Sequence, residues 1–306
     1  MKILVSGGAG YIGSHTAMHL SQQGHQVVVL DNLSRGHRWA VKWGELEQVD
    51  LLDLEGVTAA LNRHRPEAVL HFAAFALVGE SVAKPELYYR NNFVGSLNLL
   101  QAMVAADVKQ LVFSSTCAVY GPPLTPLLSE DHQKFPVNPY GHSKLMVEQA
   151  IADFSIAYDL KACNLRYFNA AGCDPDGQIG EVHDPETHLI PCIFNALQEN
   201  RPVKIFGTNY DTPDGTCVRD YVHVLDLAAA HRLALERLPE LKHPAFNLGT
   251  GRGYSVREVI QSVERVTGQT VQIQEDGRRA GDPPALVAEA SLAQAELGWV
   301  PDWTDL

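Results

Sequence analysis

Two rhythms of apolar and polar positions alternate along the first half of the chain. Short apolar runs rich in β-branched residues occur at Lys2–Ser6, Gln26–Leu30, Ala68–Ala73, Gln110–Ser115 and Leu160–Tyr167. Between them lie longer stretches with apolar residues three and four apart, at Ile12–Gln23, Val57–Arg63, Leu87–Ala106 and Tyr140–Tyr158. Runs that are apolar at nearly every position suit strands buried on both faces, and the three-and-four spacing suits amphipathic helices. Strand and helix in strict alternation predict βαβ units, right-handed crossovers and a doubly wound parallel sheet.

The texture changes near Asn169. From there to about Arg219 the chain is rich in turn-forming residues, as in Asp174-Pro175-Asp176-Gly177 and Thr212-Pro213-Asp214-Gly215. Helices are expected at Pro191–Asn200, Val224–Leu238 and Ser255–Thr267, with a strand at Ala245–Leu248. The expected organisation is a first domain over residues 1–169 and a smaller, loop-rich α/β substrate domain over residues 170–306. Segments near residues 220–250 are candidates to rejoin the first domain.

Composition narrows the function classes. The 306 residues carry 24 Lys and Arg against 36 Asp and Glu, a net charge of -12. An acidic chain without a basic tract is a poor general binder of nucleic acid or anionic membrane. Small anionic ligands remain possible, since they need only a few local Arg or backbone N–H groups. Five cysteines with no C-x-x-C spacing read as reduced thiols. The start, MKILVSGGAGYIG, lacks the apolar core of a signal peptide, and no apolar run is long enough to span a bilayer. A cytoplasmic protein is expected.

Three features carry chemistry. Gly7, Gly10 and Gly13 stand in G-x-x-G-x-x-G spacing between the first strand and the first helix. Small residues there allow a tight turn and close approach of a pyrophosphate to the helix N-terminus. The same loop also serves as a plain βα turn, but Asp31 closes the next strand, where a carboxylate accepts from the adenosine ribose hydroxyls and repels a 2′-phosphate. The pattern points to a Rossmann-type dinucleotide site with NAD favoured over NADP. Tyr140 and Lys144, four apart on a helix, share one face. A neighbouring ammonium and a cationic nicotinamide ring would favour the phenolate and make Tyr140 a usable general base. Thr116 follows a strand, at the edge where an open α/β sheet binds ligands, and can relay or orient the moving proton.

These features sit among longer motifs: GGAGYIGSH at Gly7–His15, LDNLSRG at Leu30–Gly36, HFAAFALVGESV at His71–Val82, FSSTCAVYG at Phe113–Gly121 and PYGHSKLMVEQ at Pro139–Gln149. The second half adds LRYFNAAG at Leu165–Gly172, GEVHDPETHLIP at Gly180–Pro191 and FGTNYDTPDGTCVRDYVHVLDLA at Phe206–Ala228. Over nearly its whole length the chain resembles the extended branch of the short-chain dehydrogenase/reductase family, and within it the 4-epimerases of UDP-hexoses.

That resemblance implies an isomerase that keeps NAD bound and interconverts UDP-galactose and UDP-glucose. Tyr140, assisted by Thr116, would take the proton of the sugar 4-hydroxyl while the C4 hydride leaves. The 4-keto sugar would turn over and receive hydride on its other face. Lys144 would hold the nicotinamide ribose and tune Tyr140. By the same resemblance the cofactor would lie against Gly7, Gly10, Tyr11, Ile12, Gly13, Asp31, Asn32, Ser34, Asp50, Leu51, Phe72, Ala73, Asn91, Tyr140, Lys144 and Tyr167. The UDP-sugar would meet Thr116, Tyr140, Asn169, His188, Leu189, Phe206, Arg219, Arg279 and Asp282, with Arg219 and Arg279 on the diphosphate and Phe206 against uracil. A homodimer through the helices Leu87–Ala106 and Tyr140–Tyr158 is expected, and family members continue beyond Trp303–Leu306 into a further helix.

Several positions depart from the family pattern. Ala76 replaces a Lys that contacts the cofactor pyrophosphate, and His188 replaces an Asn. Leu286 occupies a position beside the sugar where large residues hinder N-acetylated substrates and small ones admit them. UDP-GlcNAc/GalNAc, UDP-xylose and UDP-glucuronate therefore stay open as alternative substrates. A 4,6-dehydratase needs carboxyl groups beside the catalytic Thr, whereas Cys117-Ala118-Val119 follow Thr116 here. A non-catalytic NAD-binding regulator should have lost Tyr140 or Lys144, and both are present. No metal is expected: His15 and His19 lack the H-E-x-x-H pattern, and His183 and His188 receive no metal role.

Overall fold

A computed structural model describes residues 1–279 and 282–306. Its strands are β1 (Lys2–Ser6), β2 (Gln26–Leu30), β3 (Glu45–Glu47), β4 (Ala68–His71), β5 (Gln110–Thr116), β6 (Lys161–Tyr167), β7 (Asn169–Ala171), β8 (Val203–Phe206), β9 (Val218–His223), β10 (Ala245–Leu248), β11 (Gly253–Ser255), β12 (Ile273–Asp276) and β13 (Ala285–Leu286). Its α-helices are α1 (Tyr11–Gln22), α2 (Leu54–His64), α3 (Val78–Ala83), α4 (Pro85–Tyr88), α5 (Gly95–Ala105), α6 (Pro139–Tyr158), α7 (Leu189–Gln198), α8 (Val224–Arg237), α9 (Val256–Thr267) and α10 (Ser291–Leu297).

Seven strands form one parallel sheet in the order β10–β6–β5–β4–β1–β2–β3. Period-two alternation sorts each strand between two cores. In β1, Ile3 and Val5 face a core shared with Ala17 and Leu20 of α1, Leu227 and Ala234 of α8, and Leu297 of α10. Leu4 faces the opposite core, with Leu61 of α2, Leu99 of α5 and Ile151 of α6. Both faces are covered, which is why these strands read as continuous apolar runs. Strand order reverses at β1, with β2 on one side and β4 on the other. In such sheets the ligand crevice opens at the carboxyl ends of the strands beside the reversal.

The helix expected over Leu87–Ala106 is α4 and α5 joined by a wider π-helical turn at Tyr89–Val94. Turns of this kind insert one residue into the helical ladder and often mark functional sites. The chain leaves the large sheet after β6 and returns through α8, which packs on α1, and through β10, which pairs with β6. It returns again with α10 and Trp299, whose indole N–H donates to Asp226 O at 2.8 Å. The remaining strands make two small sheets, β11–β9–β13 with β7 beside β9, and β8–β12. With α7 and α9 they bury Ile193, Val203, Ile205, Tyr254, Val259 and Ile260. A reciprocal capping box between Ser255 and Glu258 starts α9.

Candidate active site

The glycine loop stands at the carboxyl end of β1. Gly7 has φ +76°, and a Cβ there would lie 2.4 Å from Ala73 N at the end of β4. At Gly13 a Cβ would lie 2.2 Å from Gly7 O. Both positions are therefore closed to any side chain, and the loop presents a bare backbone cradle at the N-terminus of α1. Asp31 follows β2 and is buried; its Oδ2 accepts from Ala9 N at 3.0 Å and its Oδ1 from Leu33 N at 2.8 Å. Burial raises the Asp31 pKa against those two bonds. Asn32 Oδ1 accepts from Ser34 N, while Asn32 Nδ2 donates to Asp50 Oδ2 at 3.0 Å. Asp50 also accepts from Leu52 N, which fixes the turn carrying Leu51. Asp31, Asn32, Ser34 and Asp50 thus form one hydrogen-bonded rim beside the glycine cradle. Phe72 and Ala73 flank it at the end of β4, Phe72 packing 4.5 Å from the ring of His231. The cradle that a Cβ would fill, together with a carboxylate at the end of β2, fits a dinucleotide.

Thr116 ends β5 and is buried; its hydroxyl accepts from Ala118 N at 3.2 Å. Tyr140 is the second residue of α6, whose N-cap Asn138 accepts from Gly141 N. Lys144 lies one turn further along, 3 % exposed, and its Nζ donates to Ser114 O at 2.8 Å above the Phe113 ring. Burial drives the Lys144 pKa down to about 7, with the Glu148 carboxylate opposing. Burial also raises the Tyr140 pKa; Tyr167 adds to the rise and the Thr116 hydroxyl opposes it. In the protein without cofactor, burial outweighs the Thr116 hydroxyl and the phenol is not lowered. Tyr167 Oη and Ser114 Oγ are hydrogen-bonded at 2.5 Å.

The expected substrate residues of the second half sit on several elements. Asn169 opens β7, Phe206 closes β8 and Arg219 lies in β9. Arg219 Nη1 donates to Val218 O and Pro283 O, and its Nη2 lies 3.7 Å from Asp282. The Arg279 guanidinium stacks 3.8 Å over the Phe206 ring. Leu286 is in register with Arg219. Leu189 begins α7 and packs on the small core. His188, the N-cap of α7, has its Nδ1 turned to Glu181 and Glu186. Ala76 is exposed, and Arg35 stands 5.1 Å over the ring of the adjacent Phe75.

The NAD dependent epimerase/dehydratase family matches residues 3–249. The chain belongs to this family. It is 50% identical over 304 residues to the UDP-glucose 4-epimerase of Rhizobium meliloti, an alignment covering 99% of this chain and 93% of the relative. The structure of UDP-glucose 4-epimerase from Brucella ovis in complex with NAD superposes with a TM-score of 0.96 at 50% identity, covering 99% of this chain and 94% of that one. The enzyme from Bifidobacterium longum in complex with NAD+ and UDP superposes at 0.95 with 37% identity, covering 99% and 94%.

In this epimerase/dehydratase chain several supporting residues carried no sequence signal. One is Asn92, whose Oδ1 accepts from Asn91, itself an expected cofactor residue, within the π-helical turn. Asn92 is buried: Phe75 N donates to its Oδ1, and its Nδ2 donates to Phe75 O and Ser143 Oγ. It clamps the loop after β4 to α6, one residue from Lys144. His71, pushed down to about 3 by burial, lies 2.7 Å from both Ser6 Oγ and Ser96 Oγ. Ser96 gives its own proton to Asn92 O, so His71 Nε2 is the donor and Nδ1 accepts from Ser6. Behind Lys144, Glu148 accepts from Ser115 and forms a bidentate pair with buried Arg166 at 2.6 and 2.9 Å. Arg166 continues to Tyr120, which donates to Asn247 of β10 at 2.6 Å. The pattern available to find these residues was only a polar side chain within an apolar strand or helix face.

Proposed function

We propose that this NAD-dependent isomerase interconverts UDP-galactose and UDP-glucose through a 4-keto sugar, with Thr116, Tyr140 and Lys144 as its catalytic residues. The observation that carries the assignment is the convergence of those three side chains at the carboxyl end of β5 beside the glycine cradle. NAD, when bound, would supply a hydride acceptor and donor for the sugar C4 and a cationic ring that favours the Tyr140 phenolate.

Tyr140 takes the proton of the sugar 4-hydroxyl at its Oη and later gives it back. Thr116 orients that hydroxyl at the edge of the sheet. Lys144, held by Ser114 O, donates to the nicotinamide ribose and supports negative charge on Tyr140. Gly7, Gly10, Tyr11, Ile12 and Gly13 line the pyrophosphate cradle. Asp31, Asn32, Ser34, Asp50, Leu51, Phe72, Ala73, Asn91 and Tyr167 complete the cofactor site. Arg219 and Arg279 take the UDP diphosphate, a role suited to the guanidinium fork. For that, Arg279 must lift from Phe206, which then faces uracil. Asp282 accepts from the uridine ribose, while Asn169, His188 and Leu189 close the sugar-diphosphate side. Because Leu286 is in register with Arg219, the size of its side chain controls room beside the sugar.

We further assign the protein to the cytoplasm as a homodimer through α5 and α6; Ile156 of α6 stands 86% exposed, and all five cysteines are unpaired. The test is incubation with UDP-galactose without added NAD. Formation of UDP-glucose to a constant ratio supports epimerisation with a resident cofactor. No conversion, even with NAD supplied, refutes the reading for this pair and moves the assay to UDP-GalNAc and UDP-xylose.

A further inference from the structure

The segment GEVHDPETHLIP brings four metal-type donors together in the loop before α7. His183 Nδ1 lies 3.4 Å from Glu181 Oε1 and 3.3 Å from Glu186 Oε2. His188 Nδ1 lies 3.0 Å from Glu181 Oε1 and 3.2 Å from Glu186 Oε1. All four side chains are half-buried, and one donor atom from each falls within 4.8 Å of the others. We propose that Glu181, His183, Glu186 and His188 form a binding site for a divalent metal of the zinc class.

Four donor groups this close can reach the corners of a tetrahedron around one ion. Ligand bonds of about 2.0–2.1 Å to nitrogen and oxygen give donor–donor edges of about 3.3 Å. The four nitrogen–oxygen separations already bracket that value. Two neutral imidazoles and two carboxylates suit a borderline dication and leave the site uncharged. The donors are also held in place: Glu186 Oε1 accepts from the backbone N–H of Thr187 at 2.7 Å and of His188 at 2.8 Å.

Charge distinguishes this cluster from an ordinary surface network. Among the described residues neither Glu181 nor Glu186 has a Lys or Arg ion pair; their only cationic partners are the two histidines. The other grouping of this kind, Glu45, Glu47 and His64, already has Arg63 on Glu47 at 2.5 Å.

The site has a structural consequence. Residues 172–188 lie across the nucleotide half: Tyr11 Oη donates to Gly172 O at 2.5 Å, His37 Nε2 lies 3.1 Å from Val182 O, and the Tyr11 and His183 rings meet edge-on at 6.5 Å. A bound ion locks this loop onto Tyr11, beside the pyrophosphate cradle and next to the start of α7. It acts as a clip between the two halves and takes no part in proton transfer.

The experiment uses the full chain without an affinity tag. Protein dialysed against chelator receives a small excess of Zn2+, is desalted, and is analysed for metal and for melting temperature. The expected result is one Zn2+ per chain and a raised melting temperature. His183→Ala and Glu186→Gln should each lose the ion, with affinity weaker by more than the roughly 100-fold seen when a group supporting a ligand is removed. His183→Cys, which keeps a ligand, should retain it. Co2+ in place of Zn2+ should give the visible bands of a tetrahedral site in the wild type, a reading that does not depend on any variant folding. Wild type that desalts free of metal, or a cobalt complex without tetrahedral bands, overturns the proposal. So do His183→Ala and Glu186→Gln chains that hold as much Zn2+ as the wild type, since the ion would then sit elsewhere. None of these readings depends on the substrate assignment.

Discussion

Replacing Lys144 with methionine should abolish turnover and yet make the NAD-free protein more stable near neutral pH. Lys144 is 3 % exposed, with one hydrogen bond, to Ser114 O. Burial lowers its pKa from 10.5 to about 7. At about 1.36 kcal/mol per unit that fall corresponds to roughly 4–5 kcal/mol spent in burying the charge. The unfolded chain binds the proton more tightly than the folded one, so the penalty is present in full below about pH 7. It is released as pH rises toward 10.5. Methionine has similar length and flexibility without the charge. Leaving the Ser114 carbonyl without this donor offsets about 1 kcal/mol. The net gain of about 3 kcal/mol near pH 7 corresponds to a rise of roughly 5 °C in melting temperature for a chain of this size. The assay is thermal melting of NAD-free wild type and variant from pH 7 to pH 10, beside turnover of UDP-galactose. The reasoning fails if the variant melts at or below the wild-type temperature at pH 7. It also fails if the variant's advantage is undiminished at pH 10.

Tyr140→Phe removes only the phenolic oxygen from a ring packed edge-on to Tyr88. Turnover should fall at least 100-fold, the usual minimum for general-base catalysis, with UDP still bound in a calorimetric titration; near-normal turnover would sink the mechanism. Asp31→Ala removes the acceptor for Ala9 N and Leu33 N as well as the carboxylate proposed for the ribose. It should weaken NAD binding and narrow the preference over NADP, and an unchanged NAD:NADP ratio in competition binding would count against the ribose role. Glu148→Gln leaves buried Arg166 without its bidentate partner, so the protein should lose about 3–5 kcal/mol, read as a denaturation midpoint well below the wild type. An unchanged midpoint would show that Tyr120 and the Glu130 carbonyl alone satisfy Arg166.

Much of the fold was legible because it is encoded locally. The strands Lys2–Ser6, Gln26–Leu30 and Ala245–Leu248 stand where the apolar runs placed them. The helices differ from expectation by a few residues at their ends, as where Pro139 and Asn138 start α6 one residue before Tyr140. Short elements such as β3 and β13 carried no pattern, because two or three residues cannot show a period. The π-helical turn at Tyr89–Val94 was hidden because an inserted residue hardly disturbs apolar spacing. The Tyr140–Lys144 pairing was legible for the same local reason: the two share a helix face by geometry alone.

The sequence by itself determined the alternating α/β layout, the glycine loop with its closing Asp31, and the Tyr140–Lys144 spacing, since each depends on residues close in the chain or on a strand-to-helix period. Only the tertiary structure decided that Ala245–Leu248 lies beside β6, that Asn92 clamps the loop after β4 to α6, and that burial lowers the Lys144 pKa. It also decided that Glu181, His183, Glu186 and His188 converge, although E-x-H-x-x-E-x-H was visible in the chain. Proximity in an irregular loop and desolvation in a core are set by packing between distant segments, and no local period records either.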